Sequence, residues 1–185
     1  MASNPLTRLS VAQLAEIFAA NPKITRWGQL GLKGEWADRP ITLRMPPRIA
    51  PNAMSMQMMV LDGRPWRADA VEAPYADTAR ALLADPAAIG FGGLEEGAPG
   101  LKALAIAPGA TRDYVRLDAE SAASGRYPLT RYMFVRLAAG TPQPQVRAFL
   151  RYILSREGQE RVRYSGYHPL TAAEARVELA KLDAL

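Results

Sequence analysis

Short β-prone runs alternate along this chain with amphipathic segments that carry helix start and stop signals, and this alternation constrains the fold more than any other feature. Ser10-Val11-Ala12-Gln13 has the pattern of a capping box, followed by Val11, Leu14, Ile17 and Phe18 on one helical face and by Asn21-Pro22 as a stop. A glycine-containing loop leads to Arg39-Pro40-Ile41-Thr42-Leu43-Arg44, a β-prone run ended by Pro46 and Pro47, which lack the amide a ladder needs. Residues 51–61 suit a helix and carry Met54, Met56, Met58 and Met59 before the Asp62-Gly63 turn. Pro74 opens a further helix whose Tyr75, Ala79, Leu82 and Leu83 share a face; Ala88–Phe91 and Leu101–Ala107 then read as strands.

Further along, Tyr132-Met133-Phe134-Val135-Arg136-Leu137 is the strongest predicted strand. Gly140-Thr141-Pro142-Gln143-Pro144 breaks the chain before a stripe of Val146, Phe149, Leu150, Ile153 and Leu154 at helical spacing, and Thr171 with Glu174 forms a second capping box. The pattern predicts an α/β fold with a helical end, and the break near residues 138–145 is either a joint between lobes or a surface loop.

With 185 residues, 49% hydrophobic and 22% charged, the chain is long enough to bury a core. Its net charge of +5 favours anionic partners, but the basic residues are scattered rather than clustered, which argues against nucleic acid. The absence of cysteine removes disulfides, thiol catalysis and thiolate metal sites, and the single histidine, His168, removes a multi-histidine metal cluster. No run approaches the length of a membrane span, and no signal peptide is visible, so the start is read as that of a cytosolic protein or of a piece of a longer precursor.

Other chemistry-bearing residues carry little. Trp27, Trp36 and Trp66 could stack on a sugar or base but are better explained as core, and the methionine cluster reads as core or interlobe packing. Glu95-Glu96, and Asp113 with Asp118, fall in polar loops with no acid-base geometry readable from spacing. Gly92-Gly93 lacks the Lys-Ser/Thr of a nucleotide-phosphate loop. Phosphoester hydrolysis therefore has neither a metal cluster nor a nucleophile with its base.

Several local patterns together resemble the phosphate-type periplasmic substrate-binding proteins of ABC transporters: Asn4-Pro5-Leu6, the Leu9-Ser10 capped helix with Ile17-Phe18, and Ile24-Thr25-Arg26-Trp27. Ala88-Ile89-Gly90-Phe91, Tyr127-Pro128-Leu129-Thr130-Arg131, Leu154-Ser155-Arg156-Glu157-Gly158-Gln159 and Gly166-Tyr167-His168-Pro169-Leu170 follow in the family's order. The resemblance implies a type 2 periplasmic-binding-protein-like lobe: a mixed sheet flanked by helices, with C-terminal helices belonging to a partial first lobe. On this basis residues 1–137 are expected to form a second-lobe-like α/β domain with a crossing segment. Residues 138–185 are expected to be helical and to pack as part of the incomplete first lobe. It further implies a non-enzymatic, cofactor-free, periplasmic binding module that is not membrane-embedded and that delivers a small anion or polar solute to an ABC permease. The family's first lobe begins well before the Asn-Pro segment, and that half has no counterpart here. Its sheet is therefore expected to need a partner chain or an unseen segment, with homo-oligomerisation as one solution.

In the family, a strand ends in arginine and Ser-Gly-Thr opens a helix whose amides and hydroxyls hold the oxyanion. Here Ala50-Pro51-Asn52 stand at those positions, removing both hydroxyls and one amide, while Arg44, or Arg48 as a substitute, stands for the arginine. The resemblance thus implies ligand contacts from Arg44, Arg48, Ala50, Pro51 and Asn52. The alternative is that both arginines are surface charges beside a stiff turn and that the domain is a degenerate structural or interaction module without solute binding.

Overall fold

The computed structural model describes residues 4–93, 99–138, 140, 143–162, 164 and 167–184. Glu95 and Glu96 lie outside these residues. The chain forms two compact units, the first of residues 1–117 with 127–129, the second of residues 118–126 with 130–185.

The first unit is the α/β one. Strand β1 (Arg8–Ser10) pairs in parallel with β5 (Ala105–Ala107), and a three-stranded parallel sheet has the order β3 (Val71–Glu72), β2 (Thr42–Met45), β4 (Ala88–Gly90). Antiparallel contact enters through isolated bridges, among them Ile106 with Val115 beside β5. Helix α1 (Val11–Phe18) starts from the predicted box: the Gln13 amide donates to Ser10 Oγ at 3.1 Å and the Ser10 amide to Gln13 Oε1 at 2.9 Å. It buries Leu14, Ala15, Ile17 and Phe18, an amphipathic face driven inward by the area it removes from water.

All three tryptophans are core. Trp27 donates its indole N–H to the Ala87 carbonyl at 3.2 Å and meets Trp36 edge-on at 6.3 Å. Trp66 stacks on Phe91 at 5.6 Å, and Phe18 approaches both rings edgewise. Strand β2 turns Leu43 and Met45 into the core and leaves Thr42 and Arg44 half-buried, the alternation a two-residue period requires. Gly90 on β4 lies so close to β2 that a Cβ there would stand 2.4 Å from the Arg44 carbonyl oxygen.

Two expectations change in this unit. Of the methionines in α2 (Pro51–Met59), only Met56 is buried; Met54, Met58 and Met59 are exposed, because the face of this helix turned to the core is narrow and carries Ala53 and Met56. The strand expected over Leu101–Ala107 is confined to Ala105–Ala107, where β1 offers a partner. Helix α3 (Tyr75–Ala84) buries Thr78, whose hydroxyl donates to the Ala73 carbonyl at 3.0 Å, while Leu83 is exposed.

The second unit is built from α4 (Ala119–Ala123), α5 (Pro144–Leu154), α6 (Arg156–Val162) and α7 (Ala172–Asp183). Asp118 caps α4 by accepting the Ser121 amide at 2.7 Å, and the Thr171–Glu174 box opens α7 as predicted. Arg147 donates to the Leu182 carbonyl at 2.8 Å and Arg151 to Asp183, tying α5 to α7. The predicted strand over Tyr132–Leu137 is absent: residues 131–138 run without helix, turn, bend or ladder, and they are exposed. Strand propensity is fulfilled only against a neighbouring strand, and the described residues of this unit contain none. Helix α5 has its predicted stripe but buries no residue, with Val146, Phe149 and Tyr152 exposed.

Candidate functional site

Three parallel strands end together in the first unit. Arg44 on β2 pairs with Gly90 on β4 and with Val71 on β3, and Met45 pairs with Glu72. From there residues 46–50 lead into α2, so the carboxyl ends of the strands and the amino end of a helix share one corner. In open parallel sheets this is where ligands sit, because the strand ends leave a crevice and the helix start offers unpaired amides and positive dipole.

The corner contains two arginines in different states. Arg44 is half-buried, and its Nε is buried with no hydrogen-bond partner. Arg48 is already engaged: its amide donates to Glu72 Oε2 at 2.8 Å and its Nε lies 3.2 Å from Glu72 Oε1. Glu72 therefore offsets the charge that Arg48 brings, leaving Arg44 as the cation with donor capacity to spare.

The helix start is equally particular. Ala50 is extended at the N-cap with no side-chain acceptor, its amide donating back to the Pro47 carbonyl at 2.8 Å, and Pro51 occupies N1. An alanine N-cap has no side-chain oxygen to offer the first turn, and Pro51 at N1 contributes no amide of its own. Asn52 stands on this first turn, and Ser55 turns its hydroxyl to the Pro51 carbonyl at 2.8 Å. The geometry brings Arg44, Arg48, Ala50, Pro51 and Asn52 to one strand-loop-helix corner. Sequence reading did not include Glu72: a two-residue strand gives almost no periodic signal, and its link to Arg48 spans 24 residues.

A second arginine pair has a structural role. Arg67 is buried, donating through Nε and Nη2 to Asp69 at 2.5 and 2.7 Å and through Nη2 to the Ile41 carbonyl at 3.2 Å. The hydrogen bond from Arg67 holds the Asp69 carboxyl below its ordinary range. His168 lies in the second unit with Nε2 buried and without a partner, so it has no hydrogen-bonded acid or base on that nitrogen. Among the described residues no group of three or more His, Asp or Glu side chains could hold a metal ion, and no helix is long and apolar enough to cross a membrane.

Parallel strands ending beside a helix start place this unit among the open α/β folds that take ligands at their strand ends. A family model described as a PBP superfamily domain matches residues 2–157, and the chain belongs to that superfamily. It is 29% identical over 189 residues to the phosphate-binding protein PstS of Pseudomonas aeruginosa, an alignment that takes in 97% of this chain and 58% of that protein. The chain thus spans under two thirds of this relative's length. Its fold is that of a possible phosphate binding protein from Planctomyces limnophilus, with a TM-score of 0.72 at 21% identity, covering 98% of this chain and 67% of the other. It is likewise that of an ABC-type phosphate transport receptor from Vibrio cholerae, with a TM-score of 0.69 at 17% identity over 89% of this chain and 65% of the other.

Proposed function

We propose that this chain is a non-enzymatic solute-binding module of the transport-receptor kind, taking a small phosphate-like oxyanion at the β2–α2 corner and serving a membrane permease from the periplasmic side. The observation that carries this reading is Arg44: a guanidinium with a buried, unbonded Nε, at a strand end beside an uncapped helix start. Burying a donor without a partner costs free energy, and an oxyanion would repair that deficit with charge-assisted hydrogen bonds. The phosphate-binding relatives support the class of ligand. In this reading residues 138–185 are the helical remainder of a first lobe.

A second reading, a module that has lost solute binding and works through protein contacts, is favoured by two features of the same corner. Pro51 removes an amide, and Glu72 occupies Arg48. Calorimetric titration of the purified chain with inorganic phosphate separates the two. Anion binding at the corner predicts a saturable signal that weakens about tenfold or more in Arg44→Ala, the loss of one or two charge-assisted bonds. A titration without heat at millimolar phosphate, or one indifferent to Arg44→Ala, favours the second reading.

A further inference from the structure

We propose that Arg67 is a positioning residue for the β2–α2 corner: from the buried side it fixes the entry of β3, so that Glu72 stands against Arg48 and the charge offered to a ligand is set. Its bearing on ligands rests on the anion reading of the corner; the contact it positions does not. β3 is only two residues long, and it pairs Val71 with Arg44 and Glu72 with Met45. So short a ladder specifies its own register weakly. A slip of two residues keeps every side chain on its face, yet carries Glu72 about 6–7 Å along the strand and off Arg48. Contacts outside the ladder must therefore hold β3 in place. At its exit the Ala73 amide donates to the Met45 carbonyl at 3.1 Å, and the Thr78 hydroxyl donates to the Ala73 carbonyl at 3.0 Å.

At its entry stands Arg67. The Arg67 amide donates to the Phe18 carbonyl at 2.8 Å, which seats this residue on the end of α1, and its Nη2 donates to the Ile41 carbonyl at 3.2 Å, just ahead of β2. Nε and Nη2 also donate to Asp69 at 2.5 and 2.7 Å, and the Ala70 amide donates back to the Arg67 carbonyl at 3.3 Å. One planar guanidinium thus joins the start of β2 to the residues that lead into β3. The offset between these two strands decides whether Glu72 reaches the Arg48 amide and Nε. Burial favours positioning over bulk stability as the role of Arg67. The residue is 8% exposed and leaves Nη1 buried without a partner, where apolar packing of similar volume would serve stability as well or better. Fixing register is the best-attested use of ionic groups buried in this way. Lysine cannot take over the task, because an ammonium has no fork to hold two carboxylate oxygens and a carbonyl at once.

Amide exchange of the full chain, followed by NMR, tests this without any ligand. The Arg48 amide, bonded to Glu72 at 2.8 Å in an exposed turn, opens locally, whereas the buried Ile106 amide, bonded to the Val115 carbonyl at 2.9 Å, opens with the fold. Arg67→Lys is expected to speed exchange at Arg48 about tenfold or more, as Glu72→Ala should, the loss of a hydrogen bond to a charged acceptor. A role confined to stability would instead speed exchange at Ile106 and leave Arg48 as it was. Should Arg67→Lys fail to fold, Asp69→Ala, at a side chain 65% exposed, releases the same lead-in and should speed Arg48 likewise. Exchange at Arg48 that is unchanged in the variant that folds, or unchanged in Glu72→Ala, overturns the proposal. Titration with inorganic phosphate adds a second readout: Glu72→Gln should tighten binding less in the Arg67→Lys or Asp69→Ala chain than alone, and an equal gain in both overturns the proposal. Faster exchange at Arg48 with no phosphate binding in any variant upholds Arg67 as the residue that positions Glu72 and overturns the anion reading instead.

Discussion

Neutralising Glu72 separates the two roles given to the β2–α2 corner, because it acts on charge without removing a ligand contact. Glu→Gln at 72 keeps a carbonyl that can accept the Arg48 amide, now bonded at 2.8 Å, but removes the negative charge 3.2 Å from Arg48 Nε. The pair is partly exposed, with 46% and 35% of the two side chains accessible, so its contribution to folding is about 0–1 kcal/mol and the melting temperature should move by no more than about 4 °C. Binding should respond more strongly. A unit charge removed from within several Å of a bound anion is worth up to about 1 kcal/mol in water-like surroundings, and Arg48 released to make one charge-assisted bond adds about another 1 kcal/mol. Together these predict phosphate binding about 5- to 30-fold tighter in Glu72→Gln, measured by calorimetry at low salt, with the gain shrinking in 0.5 M salt as screening sets in. Unchanged or weaker binding in Glu72→Gln would refute the assignment of this corner as an anion site restrained by its own acid.

Gly90→Ala places a Cβ 2.4 Å from the Arg44 carbonyl oxygen and 3.0 Å from Leu82 Cδ1. The strands must separate, at a cost of about 1–3 kcal/mol, which thermal unfolding should show as a drop of several degrees; an unchanged melting temperature would count against the close β2–β4 approach. Hydrogen bonds from the Thr171 hydroxyl, the Thr171 amide and the Tyr132 hydroxyl hold the Glu174 carboxyl below its ordinary pKa. A depressed carboxylate stabilises the fold above its unfolded pKa of about 4.3, and that contribution is lost as pH falls through the lower folded value. The start of α7 should therefore fray in acid, and Thr171→Val, which removes the hydroxyl but leaves the amide and Tyr132 bonds, should weaken this pH dependence, as followed by helical circular dichroism. The same contact with Glu174 raises the Tyr132 hydroxyl above 10.0, so Glu174→Gln should bring the ultraviolet titration of Tyr132 back toward that value.

The features legible in the sequence are those whose interactions lie within a few residues. The boxes at Ser10–Gln13 and Thr171–Glu174 formed as read, because a cap needs only residues three apart. The runs at 42–45 and 88–90 became neighbouring parallel strands, and the proline pair after β2 turned the chain into α2, which brought Arg44, Arg48 and Asn52 to one corner. Whether an arginine there has a free donor was decided elsewhere in the chain, by the contact of Glu72 with Arg48 across 24 residues. The same division explains the elements that departed from expectation. The residues of 132–137 have strong strand propensity, but propensity supplies no partner, and without a second strand the segment remains outside any ladder. The methionines of α2 have the composition of a core, yet burial depends on which face the rest of the unit covers, and that face belongs to Ala53 and Met56. Sequence alone determined where this chain caps, turns and breaks, since those are local hydrogen-bonding and steric matters. Tertiary structure alone decided which charges are paired, which apolar surfaces are covered and which β-prone runs become strands, since each depends on residues far apart in the chain.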